Sequence, residues 1–84
     1  MRLLLTPGAA EDLEYWQSGD PDLAHKIEKI FRGLKHGAAV PSQQITALRL
    51  KFPQLMSVKI TREHRIVFEQ LGNDIIVHQC RYHY

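Results

Sequence analysis

One cysteine, Cys80, is all that the 84 residues contain. A lone thiol cannot close an intrachain disulfide, so no disulfide framework is expected, and a reducing cytosol suits the chain. No apolar stretch approaches the roughly 18 residues of a membrane span. The opening run Met1-Arg2-Leu3-Leu4-Leu5-Thr6-Pro7 is too short for a secretory signal and reads as a first strand. A glycine-rich phosphate loop, an internal repeat and a low-complexity segment are all missing. The five histidines lack the paired spacing of metal ligands, so no zinc site is expected. Charge is scarce in sum, at +2, but unevenly placed. Residues 1–39 hold five Lys/Arg against six Asp/Glu, and residues 40–84 hold six against three. Three of the five histidines share that basic C-terminal half, which could therefore meet a polyanion.

The apolar fraction, 44%, is that of a globular protein. The length predicts one domain over residues 1–84 with a small core. Against this background the ending Gln79-Cys80-Arg81-Tyr82-His83-Tyr84 stands out. Chain ends usually fray. This one follows the apolar run Ile75-Ile76-Val77 and is expected to be strapped into a sheet. Arg, His and Tyr on a fixed terminus suit chemistry on a phosphate or a stacked base. An amphipathic edge strand with a solvated tail is the other reading.

Arg2–Leu5 reads as a strand. Thr6-Pro7 and Asp20-Pro21 both read as helix starts, a capping side chain followed by proline at the first helical position. In the first helix Ala9, Leu13 and Trp16 share a face, with Glu11, Asp12 and Glu14 assigned to its positive end. In the second, Leu23, Ile27, Ile30, Phe31 and Leu34 recur at helical spacing, and Gly37 is expected to stop it. Ala38–Ile45 reads as a loop and Thr46–Lys51 as a strand. Met56–Ile60, Arg65–Gln70 and Ile75–Tyr82 read as further strands, separated by polar turns. The predicted fold is α+β, in the order β-α-α-β-β-β-β. Two N-terminal helices cover one face of a mostly antiparallel sheet, and the other face is left free for function.

Alternation then sorts the side chains. With Val58, Ile60, Ile66 and Phe68 toward the helices, Lys59 and Arg65 face away. Placing Cys80 inward, with Ile76, His78 and Tyr82, sets Arg81 and His83 beside Lys59 and Arg65. Three cations and a histidine on one face make a candidate phosphate site, since a guanidinium offers phosphate a two-pronged fork and histidine moves protons near neutrality. A one-residue slip in register would scatter the set. His78 is expected to be a satisfied, partly buried ring, His64 a turn residue, and His25 and His36 helix-surface residues. Tyr15 and Trp16 are expected to pack the first helix.

Three segments carry a family resemblance. They are Glu11-Asp12-Leu13-Glu14-Tyr15-Trp16, the hairpin Lys59-Ile60-Thr61-Arg62-Glu63-His64-Arg65-Ile66-Val67-Phe68, and Cys80-Arg81-Tyr82-His83-Tyr84. Together they resemble the YoeB/Txe toxins of the RelE superfamily, small ribosome-dependent mRNA endonucleases of bacterial type II toxin–antitoxin pairs. The resemblance implies a RelE-like, microbial-RNase-like fold and a metal-independent cut needing no cofactor, in which the ribose 2′-hydroxyl attacks the adjacent phosphorus and leaves a cyclic phosphate. It implies that Arg65 stabilises the phosphate, that His83 is the general acid, and that Tyr84 positions or stacks the substrate. It assigns positive charge to Lys59, Arg49 and Arg81. It also implies a YefM/Axe-like antitoxin, the ribosome and mRNA as partners, a homodimer, a bacterial cytoplasmic location and no membrane.

One position departs from the family. Its general-base glutamate falls, by the register of Leu48-Arg49, on Thr46. A threonine hydroxyl cannot accept a proton near pH 7. Cleavage could persist on positive charge and ribosomal positioning, it could be slowed, or the chain could be a non-catalytic RelE-like protein that only binds antitoxin or ribosome. The first two together are the expected outcome. A generic single-strand RNA binder is disfavoured, because most aromatics look committed to helices or strand interiors.

Overall fold

The computed structural model describes residues 2–36, 45–47 and 55–81. Strand β1 (Arg2–Leu5) leads into helix α1 (Pro7–Gly19) and helix α2 (Pro21–His36). Strands β2 (Ile45–Ala47), β3 (Leu55–Lys59), β4 (Arg65–Leu71) and β5 (Asp74–Gln79) follow. The sheet order is β1-β5-β4-β3-β2. The β1–β5 pair is parallel, and the other three pairs are antiparallel. This is the predicted α+β architecture in the predicted order.

Both helix starts are built as their sequences suggest. Thr6 Oγ1 accepts from the Ala9 N–H at 3.2 Å, and Asp20 Oδ1 accepts from the Leu23 N–H at 3.2 Å. Each satisfies a backbone donor that the first turn of a helix leaves open. The acids of α1 do something else. Its first turn holds no acid, so Glu11, Asp12 and Glu14 lie too far along to meet the positive end as expected. The apolar faces of α1 and α2 (Ala9, Trp16, Ala24, Ile27, Phe31, Leu34) close over Val58, Ile60, Ile66, Phe68, Ile75 and Val77 from the sheet. Burial of these apolar side chains, the larger ones each contributing about 1.5–3 kcal/mol before entropy, is the main term holding the layers together.

Several strand limits differ from those read in the sequence, with β3 running Leu55–Lys59, β4 ending at Leu71 and β5 starting at Asp74. Strand β2 includes Ile45, while residues 48–51 and the expected helix stop Gly37 lie outside the described residues. Strand β5 ends at Gln79, short of the expected Tyr82, which also lies outside them. Leu71 pairs with Asp74 across a two-residue turn in which Gly72 sits at φ +59°, the left-handed conformation that glycine adopts without cost.

The face turned away from the helices is not bare. Leu55, Ser57 and Val67 alternate onto it and stay outside the helix-side cluster, yet all three are buried, Val67 completely. The expectation of a wholly free second face is therefore corrected. Its centre is shielded, and accessible cations stand at its end, where Lys59 pairs with Arg65.

A β-bulge accounts for a second correction. Val67 pairs with Gln79, but Phe68 pairs with Val77, so His78 is an extra residue in β5. Unbroken alternation had grouped Ile76 with Cys80 on the helix side. Instead Ile75 and Val77 point inward, Ile76 stands opposite Glu69 on the other face, and Cys80 returns to the core only beyond the bulge.

Candidate active site

The hairpin half of the site is set by β3 and β4. Lys59 and Arg65 are cross-strand partners at the end of the hairpin, as alternation predicted. Lys59 is exposed and Arg65 half-buried. The Arg65 guanidinium turns back along the sheet and donates from Nη1 to Ser57 Oγ at 3.2 Å. Ser57 was not singled out in the sequence, where nothing distinguishes a strand serine that takes a guanidinium from one that meets water. It is 1% exposed, so its hydroxyl gives Arg65 a fixed partner. In register, Ser57 stands opposite Thr46 on one side and Val67 on the other. The position expected to hold a general base is thus the strand neighbour of the residue that orients Arg65. The turn is held by Thr61, whose Oγ1 accepts from the N–H groups of Glu63 and His64, and by Lys26 of α2, which donates to the Ile60 carbonyl.

The terminal half is set by α1. The Cys80 N–H donates to Asp12 Oδ2 at 3.1 Å, and the Cys80 carbonyl accepts from Trp16 Nε1 at 2.8 Å. One turn of helix separates the two side chains, so both can reach the backbone of one residue. Thr6 ties the preceding residues, donating its N–H to the Val77 carbonyl at 3.0 Å and its hydroxyl to the His78 carbonyl at 3.2 Å. The sheet expected to strap the terminus ends at Gln79, and residues 80 and 81 are held by side chains of α1 instead.

Arg81 does not lie with Lys59 and Arg65 in the way alternation placed it. Its guanidinium carbon sits 3.8 Å from the centroid of the Tyr15 ring, a cation–π contact with α1. Strand β5 has ended two residues earlier, and the hold on Cys80 turns the chain toward the helix, so pleat no longer governs residue 81. Tyr15, about half exposed, is the platform for this cation rather than only a packing residue. Trp16 is buried and packs as expected, and it also meets the ring of His64 edge-on at 4.6 Å. Arg49, His83 and Tyr84 lie outside the described residues, as does the side chain of Thr46.

His78 Nε2 lies 2.7 Å from Glu69 Oε1, which makes it the satisfied, half-buried ring expected of it and occupies Glu69. His25 and His36 are on the exposed surface of α2. The Cys80 thiol is pushed up to about 12, by burial first and by the Asp12 charge second, and is no nucleophile near neutrality. Among the described residues no three His, Cys, Asp or Glu side chains converge as metal ligands would. An open groove of about 500 Å³ runs along α1 between Glu11, Glu14, Tyr15, Ser18 and Gly19, and its two carboxylates repel a phosphate. No helix among the described residues is long and apolar enough to cross a membrane.

Comparison with known proteins agrees with this fold. A family profile described as the YoeB-like toxin of bacterial type II toxin–antitoxin systems matches residues 5–84. The YoeB/ParE toxin from Agrobacterium tumefaciens superposes with a TM-score of 0.88 at 31% identity, covering 100% of both chains. A YoeB dimer from Staphylococcus aureus superposes at 0.85 with 27% identity, covering 100% of this chain and 98% of that one. The toxin of a YoeB–YefM complex from the same organism gives 0.84 at 26% identity over the same shares.

Proposed function

Because the chain belongs to the YoeB-like toxin family of bacterial type II toxin–antitoxin systems, we propose that it is a metal-independent endoribonuclease that cuts mRNA on the ribosome and so inhibits translation. The 2′-oxygen attacks the neighbouring phosphorus, the P–O5′ bond breaks, and a 2′,3′-cyclic phosphate and a 5′-hydroxyl result. Positive charge must meet the phosphorane-like transition state, and an acid must protonate the departing 5′-oxygen. Arg65 and Lys59 supply the charge, with Arg49 and Arg81 adding to the field. His83 is the acid, and Tyr84 positions the substrate. The 2′-hydroxyl proton goes to solvent, since Thr46 cannot take it, and the ribosome holds the mRNA in line. The partners of the relatives suggest a YefM-like antitoxin that covers the toxin and a toxin homodimer. The action belongs to the bacterial cytoplasm.

The observation that carries this reading is the Arg65 guanidinium, oriented by Ser57 and paired across the hairpin with Lys59. These cations stand at the end of the sheet toward which β5 runs, since Gln79 is opposite Val67, two residues from Arg65. Purified protein, programmed ribosomes and labelled mRNA test it. Cleavage should appear with a cyclic-phosphate end, and Arg65→Ala and His83→Ala should each abolish it. Cleavage indifferent to both changes would refute the assigned site. Thr46 favours a second reading, a RelE-like protein that only binds antitoxin or ribosome. Silence of the parent chain with cutting restored in Thr46→Glu would favour that alternative.

A further inference from the structure

Strand pairing ends at Gln79, so among the described residues no strand bonds the backbone of Cys80. Helix α1 takes over both of its polar groups, the N–H through Asp12 and the carbonyl through Trp16. Trp16 is placed between the two halves of the site. Its indole N–H holds Cys80, while its ring meets His64, the residue before Arg65. Tyr15, beside Trp16, holds Arg81 in turn. From these contacts we propose that Asp12 and Trp16 are positioning residues, a clamp that fixes the exit point of the C-terminal segment relative to Arg65. This inference rests on the endoribonuclease reading above.

The consequence for His83 follows from chain length. Three residues span at most about 11 Å even when fully extended. Pinning Cys80 fixes the point from which the chain runs on to His83, and Trp16 ties that anchor to the turn carrying Arg65. Misplacing a catalytic group by about 1 Å can cost about 100-fold in rate. Loosening the clamp therefore lowers kcat, because the acid must find the leaving oxygen. It leaves KM for the ribosome–mRNA complex nearly unchanged, because neither Asp12 nor Trp16 is assigned a substrate contact. An ordinary packing role would lower stability without this split.

The experiment compares the parent chain with Asp12→Ala, Asp12→Asn, Trp16→Phe and Arg65→Ala. It reads kcat and KM on programmed ribosomes, with amide hydrogen exchange at Cys80 alongside. Asp12→Ala should lower kcat about 10- to 100-fold, with KM changed less than about twofold and faster exchange at Cys80. Asp12→Asn retains an acceptor oxygen and should recover most of the rate. Trp16→Phe keeps a ring against His64 but loses the N–H donor, and it should also lose kcat. If Asp12→Ala fails to fold, Trp16→Phe and Asp12→Asn decide the matter. Parent-like kcat in Trp16→Phe and Asp12→Ala, or a loss confined to KM, would overturn the clamp if Arg65→Ala is silent, and would leave the nuclease reading standing. A parent indistinguishable from Arg65→Ala would overturn the nuclease reading and the clamp's role with it.

Discussion

Removing the Ser57 hydroxyl should uncouple Arg65 from the sheet, and a double-mutant cycle would measure how much. The Arg65–Ser57 bond is 3.2 Å long and joins a half-buried cation to a hydroxyl that water scarcely reaches. Hydrogen bonds to charged groups contribute about 1.5–3 kcal/mol when both partners are sequestered. The guanidinium is only half-buried and can turn to solvent when its partner goes, so a value below that range applies. A coupling near 1 kcal/mol is expected between Ser57→Ala and Arg65→Ala. In a chain of this size, a loss of 1 kcal/mol lowers Tm by about 4–8 °C. Thermal or urea unfolding of the parent, both single variants and the double variant closes the cycle. On the proposed reading Ser57→Ala should also slow cleavage without abolishing it, because the charge of Arg65 remains but its direction is lost. A coupling indistinguishable from zero would refute the claim that Ser57 orients Arg65.

The Cys80 thiol should resist an aromatic disulfide reagent at pH 8 in the folded protein, reacting only as the chain unfolds, and rapid labelling of native protein would contradict its burial. Its folded-state pKa is raised from the ordinary 9.0 to about 12, so its contribution to stability is complete below pH 9. As pH climbs from there toward 12 the unfolded chain loses the proton first, and unfolding free energy should fall by up to about 1.4 kcal/mol per pH unit, measurable by urea titration. Gly72→Ala should cost about 1 kcal/mol, read from the urea midpoint, because φ +59° strains a side chain although no other atom crowds the site. Thr46→Glu should raise the cleavage rate by about 10²–10⁴-fold where a base is what is missing, while weakening the affinity for inorganic phosphate or an oligonucleotide, as a filter-binding titration would show.

Much of the fold was legible because local signals agreed with tertiary need. Thr6-Pro7 and Asp20-Pro21 announced both helices, the spacing of Ile27, Phe31 and Leu34 gave the buried face of α2, and Gly72-Asn73 marked the last hairpin. The Lys59–Arg65 pair was legible for the same reason, since both follow from pleat around a core hairpin. The bulge at His78 was not, because one extra residue leaves no mark in composition or spacing, and it changes every facing assignment on one side of it. Arg81 was misplaced for a related reason, as the pleat rule was carried past the end of the strand. Asp12 was assigned to a helix dipole when its partner was a backbone N–H 68 residues away, a contact that only the folded chain creates.

The exchange at position 46 alters two terms of the proposed reaction in opposite directions. Thr46, Ser57, Val67 and Gln79 form one row across four strands, and the Arg65 guanidinium reaches into that row at Ser57. A glutamate at 46 would bring a carboxylate to the strand position beside the guanidinium's partner and offset part of its charge. With threonine there, no formal charge at 46 opposes Arg65, and the field toward a phosphate is stronger. The same substitution that removes a proton acceptor therefore increases electrostatic stabilisation of the charge that develops on phosphorus. The two effects differ in size. General-base assistance is typically worth 10²–10⁴-fold, whereas a nearby exposed charge in water shifts binding by about 1 kcal/mol, roughly five- to tenfold. The net expectation is an enzyme that holds the phosphate well and turns it over slowly, and the opposed movements of affinity and rate in Thr46→Glu distinguish this from a site that has simply decayed.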